Sequence, residues 1–199
     1  MPTVPTEAVV GTTIAFSFIL LGNAVTQSFM GVPALLVDFP RPSSPEHAAA
    51  ARHLGRQWPV FWNVGNVFFR PISTLGIFGY AYASWAARGA SLGSSHGTGT
   101  SFSGLVSGST APLGLAGDWR LYALSAACHL VTVLHSALNM QPLNNKLDGL
   151  RSPKTSGVDE SLAEYYARRW IKLNSVRVVM PFVAGSVALW QTLRSRTSL

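Results

Sequence analysis

Four long apolar stretches alternate with shorter polar segments along the chain. They cover about residues 8–37, 60–87, 119–140 and 171–193. A run of about 20 apolar residues is long enough to cross the hydrocarbon core of a bilayer as an α-helix. The pattern therefore predicts an all-α fold: a four-helix transmembrane bundle that forms a single membrane domain over residues 1–199.

The polar segments between these spans differ in character. Residues 89–117 are rich in Gly, Ser and Thr without a period, which predicts a flexible loop between the second and third helices. Residues 46–56 and 156–169 predict two short surface helices that are separate from the spans. Pro142 is expected to end the third span and Pro181 to interrupt the fourth, because proline has no backbone N–H to donate.

Composition and charge agree with a membrane location. The chain is 48% hydrophobic and only 12% charged, whereas about 25% of residues are charged in a typical soluble domain. The net charge is +7, but the basic residues flank apolar spans, which favours lipid head groups over nucleic acid as the partner.

The distribution of basic residues also predicts an orientation. The loops after the first and third spans carry eight Lys and Arg, against three on the opposite side. Basic loops are usually cytoplasmic. We therefore expect these two loops to lie in the cytoplasm. The protein is expected to be integral and multi-pass, in the endoplasmic reticulum or another endomembrane.

Each predicted span carries polar side chains on one helical face. Polar groups at membrane depth are costly, so these faces are expected to meet around a shared wet pocket. The residues are Asn23 and Gln27; Asn63, Asn66 and Arg70; His129 and Asn139, with His135 on a neighbouring stripe; and Asn174 and Arg177. Two alternatives remain open: the guanidinium of Arg70 snorkels to the interface, and the amides only join helices together.

These faces favour chemistry on an acidic organic molecule. None of the spans has an Asp or Glu in its middle, and carboxylates are the usual basis of intramembrane proton relays. Histidine can remove a proton near neutral pH, and Arg and Asn can stabilise the resulting oxyanion. His129 and His135 lie about 240° apart around a helix, so they do not chelate one metal ion, although either could be an axial haem ligand.

The remaining aromatic and histidine residues are expected to have other roles. Trp58 and Trp62 are interpreted as part of an interfacial aromatic belt. Three histidines lie in polar segments and are expected to be solvated: His47, His53 and His96.

The chain resembles the fungal anthrone oxygenase-like integral membrane proteins over nearly its whole length. The resemblance rests on three motifs: Gly31-Val-Pro33-Ala-Leu35, Pro142-x-Asn144-x-x-Leu147, and Trp170-x-x-x-Asn174-x-x-Arg177. It implies a four-span fold and an oxygenase that converts an anthrone methylene to a quinone carbonyl with molecular oxygen, without an added cofactor. It also places Asn144, Asn174 and Arg177 at motif positions, whereas the histidines match no motif.

The leading hypothesis is an oxygenase acting on an anthrone-like aromatic polyketide, with molecular oxygen as the only cofactor and no metal. The predicted catalytic residues are His129, His135, Arg177 and Asn174. The predicted substrate-binding residues are Asn144, Asn139, Asn66, Arg70 and Trp170. The alternatives are a haem- or metal-dependent membrane redox protein, and a non-enzymatic membrane scaffold or small-molecule carrier.

Overall fold

The part of the chain that the computed structural model describes, residues 6–94 and 118–197, is built from helices. This confirms the predicted all-α fold class. Four helices are long: α1 (Thr6–Ala34), α2 (residues 47–94), α3 (Trp119–Gly149) and α4 (Ala163–Thr197). Two short turns precede α4, the one-turn helix Pro153–Ser156 and the 3₁₀ turn Glu160–Leu162.

Among the described residues, three helices are long and apolar enough to cross a membrane. Their mean hydropathies are 1.9, 1.5 and 1.4 for Thr6–Ala34, Trp119–Gly149 and Glu160–Arg194, respectively. Helix α2 is not one of them, because its apolar stretch is diluted by Asn63, Asn66 and Arg70 and by glycine, tryptophan and tyrosine residues. The three apolar helices are consistent with an integral membrane protein.

The four long helices form an antiparallel ring in which each helix packs against two neighbours. Polar contacts fix the neighbours: Tyr80 and Ser17 join α2 to α1, with 2.9 Å between their hydroxyl oxygens. The Ser84 hydroxyl of α2 donates to the Trp119 carbonyl of α3 at 3.0 Å. In the same way, Ser125 of α3 donates to a carbonyl of α4 at 3.0 Å.

The interior of the ring contains two apolar layers separated along the bundle axis. The first layer, at the end that carries the loops after α1 and α3, includes Val32, Leu54, Leu143, Leu147 and Tyr166. The second layer, near the opposite end, includes Val10, Ile14, Tyr80, Tyr122 and Ala184. The space between the layers is where the helices are irregular.

Helices α1, α2 and α3 each contain one π-helical turn, and each turn is followed two residues later by a proline. The turns are Gln27–Gly31, Gly65–Phe69 and Ser136–Met140, and the prolines are Pro33, Pro71 and Pro142. In each case the residue before the proline donates its N–H to the carbonyl five positions back. This wider turn lets the helix continue past a residue that has no N–H and crowds the preceding turn.

The prediction that Pro142 ends the third helix is therefore wrong, since α3 continues to Gly149. The prediction that Pro181 interrupts the fourth helix is also wrong, because α4 runs through it. Both errors have one cause: the local rule for proline ignores the packing that keeps a long helix intact on either side.

Three further expectations need correction. The segment 46–56 is not a separate surface helix but the start of α2, and the segment 156–169 leads directly into α4. Residues 89–94 of the predicted loop belong to α2, while residues 95–117, including His96, lie outside the described ranges. His53 is exposed as expected.

His47 is not solvated, because only 5% of it is exposed. Its Nδ1 lies 2.7 Å from the carbonyl oxygen of Pro40 and its Nε2 lies 2.9 Å from that of Glu160. The ring thus ties the segment after α1 to the segment before α4. Nothing in its local sequence pattern distinguished this role from that of a solvated histidine.

Candidate functional site

A cavity of about 340 Å³ lies between the two apolar layers, at the level of the three π-helical turns. All four long helices contribute to its wall. The described lining residues are Leu20, Gln27, Trp58, Phe61, Trp62, Gly65, Phe69, Arg70, Ser73, Thr132, Val133, Ser136, Ala137, Met140, Asn144, Trp170 and Arg177. Its volume is within the usual range for sites that bind small organic molecules.

Aromatic side chains form much of the wall. Trp58 and Trp170 meet edge to face, with ring centroids 5.3 Å apart. The side-chain oxygen of Asn144 accepts a hydrogen bond from each indole, at 3.3 Å from Trp58 Nε1 and 2.8 Å from Trp170 Nε1. Asn144 therefore fixes the orientation of two large rings that border the cavity.

Arg177 reaches the cavity from α4, and Asn174 holds it there. Asn174 is fully buried, and its side-chain oxygen accepts a hydrogen bond from Arg177 Nη1 at 3.0 Å. Its amide nitrogen donates to the Ala24 carbonyl at 3.1 Å and to the Ser28 hydroxyl at 2.8 Å on α1. Asn174 thus positions the guanidinium without itself lining the cavity.

Arg70 is the second arginine that lines the cavity; it directly follows the π-helical turn of α2 and is exposed, whereas Arg177 is half-buried. None of the ion pairs among residues 6–94 and 118–197 involves Arg70 or Arg177. The described lining residues include no Asp or Glu. The cavity therefore combines two positive charges with aromatic walls, which suits an anionic, flat molecule.

Polar groups of α1 and α2 complete the wall. The side-chain oxygen of Gln27 and the hydroxyl oxygen of Ser73 are buried and have no hydrogen-bond partner among the described residues. By contrast, the hydroxyl groups of Thr132 and Ser136 donate to carbonyl groups one turn earlier in α3, at 2.9 and 2.8 Å. Gln27 and Ser73 thus have wholly unpaired atoms in the wall, whereas Thr132 and Ser136 keep only acceptor capacity for a ligand.

His129 lies behind this wall and is fully buried. Its Nδ1 is 3.3 Å from the carbonyl oxygen of Ser73, and its Nε2 is 2.9 Å from the hydroxyl oxygen of Ser17. Since a carbonyl only accepts, Nδ1 is the donor to Ser73. The Ser17 hydroxyl is shared between Nε2, the Thr13 carbonyl and the Tyr80 hydroxyl. The ring packs against Gly76, where a Cβ atom would overlap it.

His135 also lies outside the lining. Its Nε2 donates to the Leu173 carbonyl at 2.9 Å, and its Nδ1 accepts from the exposed amide of Asn139 at 3.1 Å. Both nitrogens of both intramembrane histidines are therefore engaged in hydrogen bonds within the bundle.

The structure brings together four of the predicted site residues, namely Arg70, Asn144, Trp170 and Arg177. It places the other predicted residues, His129, His135, Asn139 and Asn174, away from the described lining. Asn66 lies on the π-helical turn of α2, and its side chain is outside what the structure describes.

Sequence reasoning did not assign several lining residues to the site. Trp58 and Trp62 were interpreted as interfacial, and Gln27 was placed on a polar face without a role in the site. The signal for Gln27 was its spacing of four residues from Asn23, but spacing alone does not tell which of the two reaches the cavity.

A metal site is a separate question. Within residues 6–94 and 118–197, no group of three or more His, Cys, Asp and Glu residues could hold a metal ion. Neither His129 nor His135 presents a free nitrogen to the cavity, so the geometry gives no support to haem ligation by these residues.

Comparison with known families gave one match. A family model described as anthrone oxygenase matches residues 58–187. No curated protein and no solved structure matches the chain. The matched range includes Asn144, Trp170, Asn174 and Arg177, and excludes α1.

Proposed function

The chain belongs to the anthrone oxygenase family, and from this membership we propose that it oxidises an anthrone-like aromatic polyketide to a quinone with molecular oxygen. The methylene carbon loses two hydrogens and gains one oxygen atom, and the second oxygen atom leaves as water. The observation that carries the proposal is the cavity itself, in which two guanidiniums and aromatic walls surround about 340 Å³ without a carboxylate among its described lining residues.

The aromatic walls support the proposed substrate class. Trp58 and Trp170 are held rigidly by Asn144, so a flat tricyclic molecule can pack against rings that are already in place. Preorganised aromatic surfaces lose little conformational freedom when a ligand binds. A planar polyketide that partitions into the bilayer would reach this cavity from the lipid.

The guanidiniums support the proposed chemistry. Removing a proton from the acidic methylene leaves a negative charge that is shared between the ring carbon and the carbonyl oxygen. Arg177, which is half-buried at the cavity wall, would stabilise that oxyanion in surroundings of low dielectric constant, where such interactions are strong. Arg70 would add a second, more exposed positive charge. The electron-rich carbon then reacts directly with oxygen.

The geometry supports the arginines rather than the histidines as the groups that act on the substrate. Neither His129 nor His135 lines the cavity, and their ring nitrogens are already paired. That one of them removes the proton stays a prediction. We propose instead that the two arginines lower the pKa of the bound methylene enough for water or hydroxide to remove its proton.

The proposal includes molecular oxygen as the only cofactor. The visible absorption spectrum of the purified protein tests the rival haem hypothesis: a Soret band that accompanies activity would replace this scheme with haem chemistry. A spectrum without visible bands, from protein that is active, is the expected result.

We also propose that α2 is a fourth membrane span, in a protein of an endomembrane. Its large apolar side chains that are exposed share one side of the helix: Val60, Val64, Val67, Phe68, Leu75, Phe78, Tyr82 and Trp85. An apolar face of this length is unfavourable in water and favourable against lipid. With four spans, the basic loops after α1 and α3 lie on the same side, which we assign to the cytoplasm.

The test is oxidation of anthrone by protein purified in detergent, with isotopically labelled oxygen gas. The proposal predicts consumption of one oxygen molecule per anthrone and one labelled atom in the new carbonyl. The double variant Arg70→Met/Arg177→Met is the matched control, since it keeps the aromatic walls. A wild-type rate no greater than the rate of this control, or of buffer, would exclude the proposed function.

A further inference from the structure

Two polar atoms in the cavity wall have no partner, although their side chains are nine-tenths or more buried. Gln27 is 7% exposed and Ser73 is 4% exposed. Their unpartnered atoms are the Gln27 Oε1 and the Ser73 Oγ, judged over the described part of the chain. Buried polar atoms are nearly always hydrogen-bonded in folded proteins, so this pair points to a ligand in the cavity.

The Gln27 Oε1 restricts the chemistry of that ligand. A carbonyl oxygen can only accept a hydrogen bond, so the ligand must present a donor. The oxyanion that the guanidiniums stabilise has no proton to donate. A second, neutral hydroxyl on the same aromatic framework would supply one.

We infer that Gln27 is a specificity-determining residue that accepts a hydrogen bond from a neutral hydroxyl group of the substrate. This rests on the proposed function in so far as the cavity is the substrate site. The site then takes flat aromatic anions that carry at least one further hydroxyl group, and the unpartnered hydroxyl of Ser73 offers a second polar contact in the same cavity. Gln27 lies outside residues 58–187, so it belongs to the part of the chain that the family match does not cover.

Asn23 provides a matched comparison. It lies one turn before Gln27 on α1, and its Nδ2 is also buried without a partner among the described residues. It does not line the cavity. A loss of polarity at Asn23 should therefore leave ligand preference unchanged, whereas the same loss at Gln27 should remove it.

The experiment measures equilibrium binding of two quinones. In both of them the former methylene carbon is already a carbonyl, so no turnover can occur. One is a dihydroxyanthraquinone with its hydroxyls on opposite rings, so that one can ionise and the other stay neutral. The other is the monohydroxyanthraquinone, which lacks the second hydroxyl. Quenching of tryptophan fluorescence reports binding, because Trp58, Trp62 and Trp170 line the cavity.

The wild-type protein is expected to bind the dihydroxy compound about fivefold to a hundredfold more tightly, because the monohydroxy compound leaves the buried Gln27 acceptor unpaired. Gln27→Met, which keeps the length of the side chain, is expected to lower the affinity for the dihydroxy compound to the level measured for the monohydroxy compound. Its affinity for the monohydroxy compound should stay within about twofold, a result that also confirms a folded cavity. Asn23→Leu is expected to keep the wild-type preference.

The inference is overturned if the wild-type protein does not distinguish the two compounds or binds neither. It is also overturned if Gln27→Met lowers the affinity for both compounds equally. The same holds if Asn23→Leu also loses the preference for the dihydroxy compound. None of these measurements requires turnover. Failure of the proposed oxygenase activity would instead appear as normal binding preference without oxidation of anthrone.

Discussion

At the scale of single residues, the two motif asparagines act on other side chains rather than on the cavity contents. Asn144 binds the indoles of Trp58 and Trp170, and Asn174 binds Arg177 and the backbone of α1. An amide suits both positions because it donates and accepts at the same time. The rings and the guanidinium that these amides hold in place are therefore among the residues that meet a ligand directly.

Arg177 is the residue whose replacement should affect catalysis most directly. Arg177→Met is expected to lower kcat/KM for anthrone about 100-fold to 1000-fold, the usual effect of removing one donor to an oxyanion. Arg177→Lys should recover part of this loss because the charge remains while the planar donor geometry is lost. Arg56→Met, at an exposed position of α2, is the control; an equal loss there would assign the effect to charge in general.

His129 should matter for stability more than for chemistry. His129→Leu removes the donor to the Ser73 carbonyl and one of the three hydrogen-bond partners of the Ser17 hydroxyl, which is expected to cost about 1–3 kcal/mol of unfolding free energy. Activity per folded molecule should stay within about fivefold of wild type, and that of His135→Leu likewise. Thermal unfolding in detergent and steady-state rates separate the two effects. A rate loss of hundredfold or more in either variant, with normal stability, would restore the imidazole as the base.

At the scale of helices, the π-helical turns determine where the cavity is. Three helices carry such a turn before a proline, and residues of all three turns line the cavity. A wider turn displaces side chains from the regular helical positions and leaves room inside the bundle. Hydropathy predicted the helices but not their continuity through Pro142, because the turn that accommodates proline depends on the neighbouring helices.

Close packing between α2 and α3 gives a prediction at this scale. Gly76→Ala would bring a Cβ atom into the imidazole of His129, and overpacking of this kind usually costs about 1–3 kcal/mol. Gly22→Ala is the matched control, since nothing lies within 4 Å of its added Cβ and alanine favours a helix. The midpoint of thermal unfolding should fall for the first variant and hold or rise for the second. Equal midpoints would contradict the tight contact.

At the scale of the whole molecule, the bundle has two apolar layers with a polar, aromatic centre between them. The sequence predicted the helices and four of the lining residues, because apolar runs and family motifs are local signals. It did not identify Trp58, Trp62 or Gln27 as lining residues, because the direction of a side chain in a bundle depends on helix rotation. That rotation is fixed by contacts between helices, such as Asn174 with α1, and not by any one helix alone.

The number of spans is a property of the whole molecule that can be tested without any ligand. Single cysteines at Ser43 and Ser152, introduced into a Cys128→Ser background, report the sides of the loops after α1 and α3. If α2 crosses the membrane, an impermeant thiol reagent applied to sealed vesicles will label both positions or neither. Labelling of only one of the two positions would mean that α2 does not cross.

The central claim is that the cavity stabilises the anion of a flat aromatic substrate, and an absorption spectrum tests it most directly. Anthrone is mixed with purified protein in neutral buffer without oxygen, so that binding occurs and oxidation does not. The account predicts the red-shifted absorption of the anthrone anion with the wild-type protein, and its loss in Arg70→Met/Arg177→Met but not in Arg56→Met. A spectrum of neutral anthrone at saturating wild-type protein, or an anion band that survives in the double variant, would contradict the account.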